Sequence, residues 1–237
     1  MSISNYFYAP DINGHLHTLN KDDSGHLVRV LRMQKGETVF VTNGKGTIFE
    51  CLIVDPDPKN CQIEIIQKKS GDDQRDFTLQ IAIAPTKNIS RFEWFLEKST
   101  EIGIDIISPI LSEHSERKII KPERLNRVMT AAVKQSLKSF HPELNTLTNF
   151  EDFIKTHFSG QKFIAYVDAN VKDELLDVCK PSTNTLILIG PEGDFSEKEI
   201  ENARNNGFTP VKLGPSRLRT ETAGIVACHT VHMVNLS

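Results

Sequence analysis

The residues best suited by type and spacing to do chemistry gather in two glycine-containing turns in the C-terminal part of the chain. The first is Leu186-Ile187-Leu188-Ile189-Gly190-Pro191-Glu192-Gly193-Asp194-Phe195-Ser196. An apolar run, as of a buried strand, enters a Gly-Pro-x-Gly turn, and Ser196-x-x-Glu199 then opens a helix as a capping box. Gly190 and Gly193 let backbone amides approach a ligand closely and take conformations closed to other residues. The second is Lys212-Leu213-Gly214-Pro215-Ser216-Arg217-Leu218-Arg219-Thr220-Glu221-Thr222-Ala223. There Thr220 suits an N-cap and Glu221 suits the positive end of a helix dipole. Taken alone, each turn also reads as a tight strand-to-helix connection, with Arg217 and Arg219 as solvated charges. Taken together, two glycine turns after two successive strands frame one pocket, because ligands of open α/β sheets sit at the carboxyl ends of strands.

Other patterns carry less. Gly44-Lys45-Gly46-Thr47 lacks the spacing of a phosphate-binding loop, and Gly-x-Gly-x-x-Gly is absent, which weakens a dinucleotide-binding reading. His229 and His232, like His15 and His17, stand close enough in sequence to share a metal but have no third ligand nearby; no metal is expected. Trp94 reads as a half-buried packing residue.

The elements that must position these turns fall in two compositional zones. From Tyr6 to about Ile66 the chain has short β-rich runs at Glu37–Val41, Thr47–Val54 and Gln62–Ile66, and this spacing suggests a small barrel. Asn43-Gly44 signals a type I′ hairpin, whose central residues both need φ > 0. His26–Arg32 reads as a short helix or turn presenting Arg29 and Arg32. The polar stretch Lys68–Asp76 has nothing to bury and is the expected linker, giving domains at 1–70 and 76–237. Beyond it, strands at Phe77–Ala84, Ile104–Ile110, Phe163–Val167, Thr185–Ile189 and Pro210–Leu213 alternate with helices. Ser90-Arg91-Phe92-Glu93 is a second capping box, Gly103 a C-terminal stop, Pro122 the start of a basic helix, and Thr220–Val234 a last helix. Such alternation of near-continuous apolar strands with helices implies a parallel α/β sheet covered on both faces.

Composition sets outer limits. The chain has 237 residues, 25% of them charged, and a formal net charge of −3. No apolar run is long enough to span a bilayer, and the first eight residues do not resemble a secretory signal. Cys51, Cys61, Cys179 and Cys228 form no Cys-x-x-Cys pair, which argues against zinc and disulfides and for a reducing, cytoplasmic setting. The charge is uneven: between Arg117 and Lys138 seven basic residues face one acid, Glu123. That stretch is either a phosphate-attracting patch or a solvated helix face.

The segments Ile189-Gly190-Pro191-Glu192-Gly193 and Leu213-Gly214-x-x-x-Leu218-Arg219-Thr220-Glu221-Thr222-Ala223 resemble the paired signatures of the RsmE family. His26-Leu27-x-Arg29-Val30-Leu31-Arg32, Lys98-x-x-Glu101-Ile102-Gly103 and Ser115-Glu116-Arg117 agree with it in order and spacing. Members methylate N3 of a uridine in 16S ribosomal RNA of the small subunit. The resemblance implies a PUA-like barrel that helps dock RNA, followed by a SPOUT domain with a trefoil knot that works as a homodimer. It also implies S-adenosylmethionine as cofactor. Cofactor contacts are then expected from Ile189, Gly190, Pro191, Glu192, Gly193, Leu213, Gly214, Leu218 and Thr220. Arg219 would stabilise charge on the base, and Glu221 or Glu101 would accept the proton. RNA contacts are expected from Arg29, Arg32, Arg117, Arg124, Arg127, Lys134 and Lys138. Two positions depart from the family pattern. Lys134-Gln135-Ser136-Leu137-Lys138 replaces a glycine–arginine pair, and Asp194 replaces a second glycine, a change of little weight if Asp194 faces solvent. The rival readings are a ribose 2′-O-methyltransferase of the same superfamily and a non-catalytic RNA-binding module.

Overall fold

The computed structural model describes residues 6–168 and 171–236; the segment Met1–Asn5, part of the stretch compared above with a secretory signal, lies outside them. The chain divides into two compact units. One runs to Gln74 and takes in Thr130–His141; the other comprises Arg75–Met129 and the chain from Pro142 onward. No helix among the described residues is long and apolar enough to cross a membrane.

In the first unit, β1 (Tyr6–Tyr8), β3 (Thr38–Thr42), β4 (Thr47–Asp55), β5 (Gln62–Ser70) and β2 (Leu16–Thr18) form a five-stranded sheet in that order. Only the β1–β3 pairing is parallel. The expected barrel is thus a curled sheet, a PUA-like half-barrel. Alternate residues Phe49, Cys51 and Ile53 of β4 point inward with Val39, Val41 and Ile63, as the two-residue period of a strand dictates. Helix α1 (Lys21–Gly25) runs into a π-helical turn, His26–Val30, which buries Leu27.

Two local expectations are corrected here. The hairpin is not type I′: the positive φ values fall at Gly44 (71°) and Gly46 (87°), not at Asn43. Asn43 instead accepts from the amides of Lys45 (2.8 Å) and Thr47 (3.2 Å), so its side chain organises a longer loop. The expected linker also starts later, because Lys68, Lys69 and Ser70 pair with Phe49, Ile48 and Thr47. These β5 residues are exposed, so they need no apolar side chains to be a strand.

The second unit is a seven-stranded, wholly parallel sheet. Its order is β12 (Thr209–Val211), β10 (Gln161–Ala165), β11 (Thr185–Ile189), β6 (Leu79–Ile83), β7 (Ile106–Leu111), β8 (Glu143–Leu144), with β9 (Thr148–Asn149) also on β7. Every residue of central β11 is buried. Ile187 and Ile189 pack toward α2 (Ile89–Ile102), α3 (Pro122–Gln135) and α7 (Thr220–Val234), meeting Phe92, Leu125, Met129 and Ala227. Leu186 and Leu188 pack on the other face with Phe150 and Phe153 of α4 (Phe150–Phe153) and Ala203 of α6 (Glu197–Asn205). The short α5 (Leu175–Val178) completes the set.

Gly103 ends α2 at φ 119°, and Ser196 and Glu199 form the expected capping box. The box expected at Ser90 does not form. Asn88 is the N-cap, accepting from the Ser90 amide, and Glu93 is drawn off to Arg124. At α7 the cap is Arg219 rather than Thr220, with no side-chain hydrogen bond. Trp94 is exposed rather than half-buried.

Candidate active site

The sheet order places the carboxyl ends of β12, β10 and β11 side by side. The loops leaving them enclose a cavity of about 630 Å³, within the range typical of small-molecule sites. The two glycine turns recognised in the sequence form two of its walls. Eight of the nine expected cofactor residues line it: Ile189, Gly190, Pro191, Glu192, Leu213, Gly214, Leu218 and Thr220.

Gly193 does not line the cavity. Its Cα faces His114, where a Cβ would come 3.0 Å from the His114 Cβ. Neither Gly190 nor Gly193 has the positive φ expected of it; both supply space rather than unusual conformation. A Cβ at Gly190 would meet the Phe195 ring at 3.2 Å. The left-handed residue of the turn is Asp194, at φ 61°, a conformation that aspartate tolerates better than most residues. Asp194 does not simply face solvent: it lines the cavity. Its Oδ1 accepts from the Phe195 amide at 2.8 Å, and its Oδ2 from the Val167 amide at 3.3 Å.

The third wall, Ala165 to Asp168 at the end of β10, was missed in the sequence. The available signal was the rule already used for the other two turns, that loops at strand carboxyl ends build ligand sites. With no glycine to mark it, this one passed unnoticed. It also lies between the two recognised turns, since β10 separates β11 from β12.

Arg219 is exposed and lines the cavity at the N-terminal end of α7. Glu221, two residues on, is buried and outside the lining. Its Oε1 lies 3.8 Å from the Arg91 Nε, while its Oε2 has no hydrogen-bond partner among the described residues. Glu101 is also outside the lining, hydrogen-bonded by Lys98 Nζ at 2.8 Å near the end of α2. Of the three expected catalytic residues only Arg219 lines the cavity, with Glu221 in the first turn of the helix that Arg219 caps.

Two contacts brace the cavity from outside. Glu174 Oε2 accepts from the Gly214 amide at 2.9 Å. His114 Nδ1 lies 3.1 Å from the Gly193 carbonyl and 3.0 Å from the Asp194 carbonyl. Since carbonyls only accept, Nδ1 carries the proton. These contacts raise the His114 pKa, the Asp194 carbonyl contributing most, against a lowering by partial desolvation.

The expected RNA-contacting residues divide. Arg29, Arg32 and Arg127 are exposed. Arg117 donates to the carbonyls of Thr86 (2.9 Å) and Lys87 (2.6 Å), bracing the loop before α2. Arg124 holds Glu93 with two nitrogens, and Lys134 pairs with the buried carboxylate of Asp23. Lys138 is half-buried. Three residues of the basic run, Arg117, Arg124 and Lys134, thus serve the fold itself. His232, weighed as a metal ligand, contacts the Arg75 guanidinium and the Gly103 carbonyl instead.

A parallel sheet with a glycine-framed cavity at its strand ends, in a chain with a separate curled β-sheet unit, is matched by families of known proteins. Residues 73–232 match the RNA methyltransferase domain, and residues 19–66 match the RNA methyltransferase PUA domain. The class is therefore that of RNA methyltransferases. Within it, the chain is 30% identical to the ribosomal RNA small subunit methyltransferase E of Aquifex aeolicus over 92% of its own length and 94% of that protein's. The chain belongs to the ribosomal RNA small subunit methyltransferase E family, RsmE. Among solved structures it is similar to a probable rRNA-methyltransferase from Porphyromonas gingivalis, with 45% identity, a TM-score of 0.91 and 98% of each chain covered. It is also similar to the Neisseria gonorrhoeae ribosomal RNA small subunit methyltransferase E bound to S-adenosyl methionine, with 25% identity, a TM-score of 0.88 and 98% of each chain covered.

Proposed function

We propose that this chain uses S-adenosylmethionine to methylate N3 of a uridine in 16S ribosomal RNA of the small subunit. The observation that carries the reading is the cavity itself, where both family signatures meet around a space of suitable size. Its walls suit an adenosyl group. Ile189, Leu213, Leu218 and Ala223 offer apolar surface, Gly190 and Gly214 leave the backbone open, and the first turn of α7 opens onto the space at Thr220. Ile189, Gly190, Pro191, Glu192, Leu213, Gly214, Leu218 and Thr220 would hold the cofactor, and Gly193 would set the turn against His114.

When bound, the cofactor supplies an electrophilic methyl group on a sulfonium. What the protein must add is alignment and management of the uracil N3 proton, which is lost only well above neutral pH. Arg219, beside the cavity, stabilises the negative charge that develops on the base. Of the two candidate proton acceptors we favour Glu221, which is buried behind the lining in the turn that follows Arg219 and has one oxygen without a hydrogen-bond partner among the described residues, whereas Lys98 engages Glu101. Arg29, Arg32 and Arg127 are the foremost RNA contacts; Lys138 and Arg117 come second, and Arg124 and Lys134, neutralised by Glu93 and Asp23, come last. The reading includes the trefoil knot, the homodimer and the cytoplasmic setting that the family resemblance implies. The test is incubation of purified small subunits with methyl-labelled cofactor, followed by nucleoside mass analysis and mapping. N3-methyluridine at one 16S position is expected; 2′-O-methylation or no transfer overturns the reading.

A further inference from the structure

The cavity wall holds an acid that the roles above leave unused. Asp194 lines the cavity with its carboxylate fixed by two backbone amides, Phe195 N–H to Oδ1 and Val167 N–H to Oδ2. Its backbone at φ 61° fixes the direction of the side chain. Two other acids line the same space. Glu192 is exposed and accepts from the Lys87 amide at 3.0 Å, and Asp168 adjoins residues outside the described set. Among the described residues no lysine, arginine or histidine side chain forms an ion pair with the Asp194 carboxylate. Three cations line the same space: Lys212 is paired with Glu174 at 3.5 Å, and Arg217 and Arg219 are exposed, neither of them in an ion pair with Asp194. His114 touches the Asp194 backbone carbonyl. The carboxylate is thus a localised negative charge in the cavity wall, with no ion-pair partner among the described residues.

Methyl transfer changes the charge of what the cavity holds. The donor carries a positive sulfonium and the spent product a neutral thioether; the rest of the two molecules is alike. A fixed anion in a partly enclosed wall attracts the sulfonium of the first and finds no such charge in the second, while the amino-acid charges are common to both. We infer that Asp194 sets the preference for S-adenosylmethionine over S-adenosylhomocysteine, so that transfer itself weakens the hold on the spent cofactor. The inference rests on the reading of this cavity as the cofactor site. Glycine, the alternative at this position in the family pattern, suits the same left-handed backbone but carries no charge.

The experiment is calorimetric titration of the full chain with each of the two compounds. Asp194→Asn keeps an acceptor oxygen and loses the charge; Asp194→Gly suits φ 61° and loses both, so one of the pair remains folded. Both variants are expected to bind S-adenosylmethionine about tenfold more weakly, with affinity for S-adenosylhomocysteine within about twofold. An equal loss for both compounds reduces Asp194 to a loop brace and overturns the inference, as does no change for either. A third variant, Ser216→Trp, fills the cavity from its exposed rim. Undiminished binding of both compounds to it places the cofactor elsewhere and overturns the underlying reading instead.

Discussion

Arg219 joins two kinds of evidence: it caps α7, and it faces the cavity from a turn that carries a family signature. As an N-cap it makes no side-chain hydrogen bond, so its guanidinium is not committed to the helix. Arg219→Ala should therefore leave the fold and cofactor affinity within a few-fold and lower turnover by about 10²–10³-fold. Single-turnover methylation beside calorimetric titration checks this, and unchanged turnover removes Arg219 from the mechanism. His114 gives a second prediction at this scale. Its pKa is raised above the ordinary 6.5 chiefly by the Asp194 carbonyl, so its contribution to the turn is complete below pH 6.5. That contribution fades as pH rises through the raised value. Protection of the Gly193–Phe195 amides, taken relative to the intrinsic exchange rate at each pH, should fall over that window in the wild type, and His114→Ala should remove that fall. Identical profiles for the two proteins would refute the brace.

At the scale of elements, the site depends on α7 lying close to α2. Gly224 makes that approach possible: a Cβ there would come 2.6 Å from Phe95 Cε2 and 3.0 Å from Ile83 Cδ1, both fully buried. Gly224→Ala gains about 1 kcal/mol of helix propensity but overpacks the core at a cost of about 1–3 kcal/mol. A lowered melting temperature is expected; a raised one shows that the two helices can part without penalty. Elements of this kind were legible in the sequence because their signals are local. Thr185–Ile189 and Thr220–Val234 are read from it with the bounds they have. What was not legible depended on competition between neighbours. Asn88 and Ser90 are both good caps, and the choice went to Asn88 once Glu93 found Arg124. Sheet order was equally hidden: nothing local says that β10 lies between β11 and β12, and the Ala165–Asp168 wall follows from that insertion.

For the whole molecule, the question is which charges are left for RNA. A chain of net charge −3 must meet a polyanion through local excess, and the run from Arg117 to Lys138 looked like the source. A sequence displays charges but not their partners, and here Arg117, Arg124 and Lys134 are engaged by Thr86, Lys87, Glu93 and Asp23. Arg29, Arg32 and Arg127 have their guanidinium groups open to a phosphate: among the described residues none of them forms an ion pair or side-chain hydrogen bond, and all three are exposed. Each phosphate contact contributes about 0.7–0.9 to the slope of log affinity against log salt. Replacing all three by alanine should therefore flatten that slope by about two. Replacing Arg124 and Lys134 should instead lower the melting temperature, since Lys134→Ala strands a buried Asp23 carboxylate, and leave the slope nearly unchanged. Titration of small subunits at several potassium chloride concentrations, with melting curves in parallel, separates the two sets. A slope governed by Arg124 and Lys134 would mean that these ion pairs open to take phosphate.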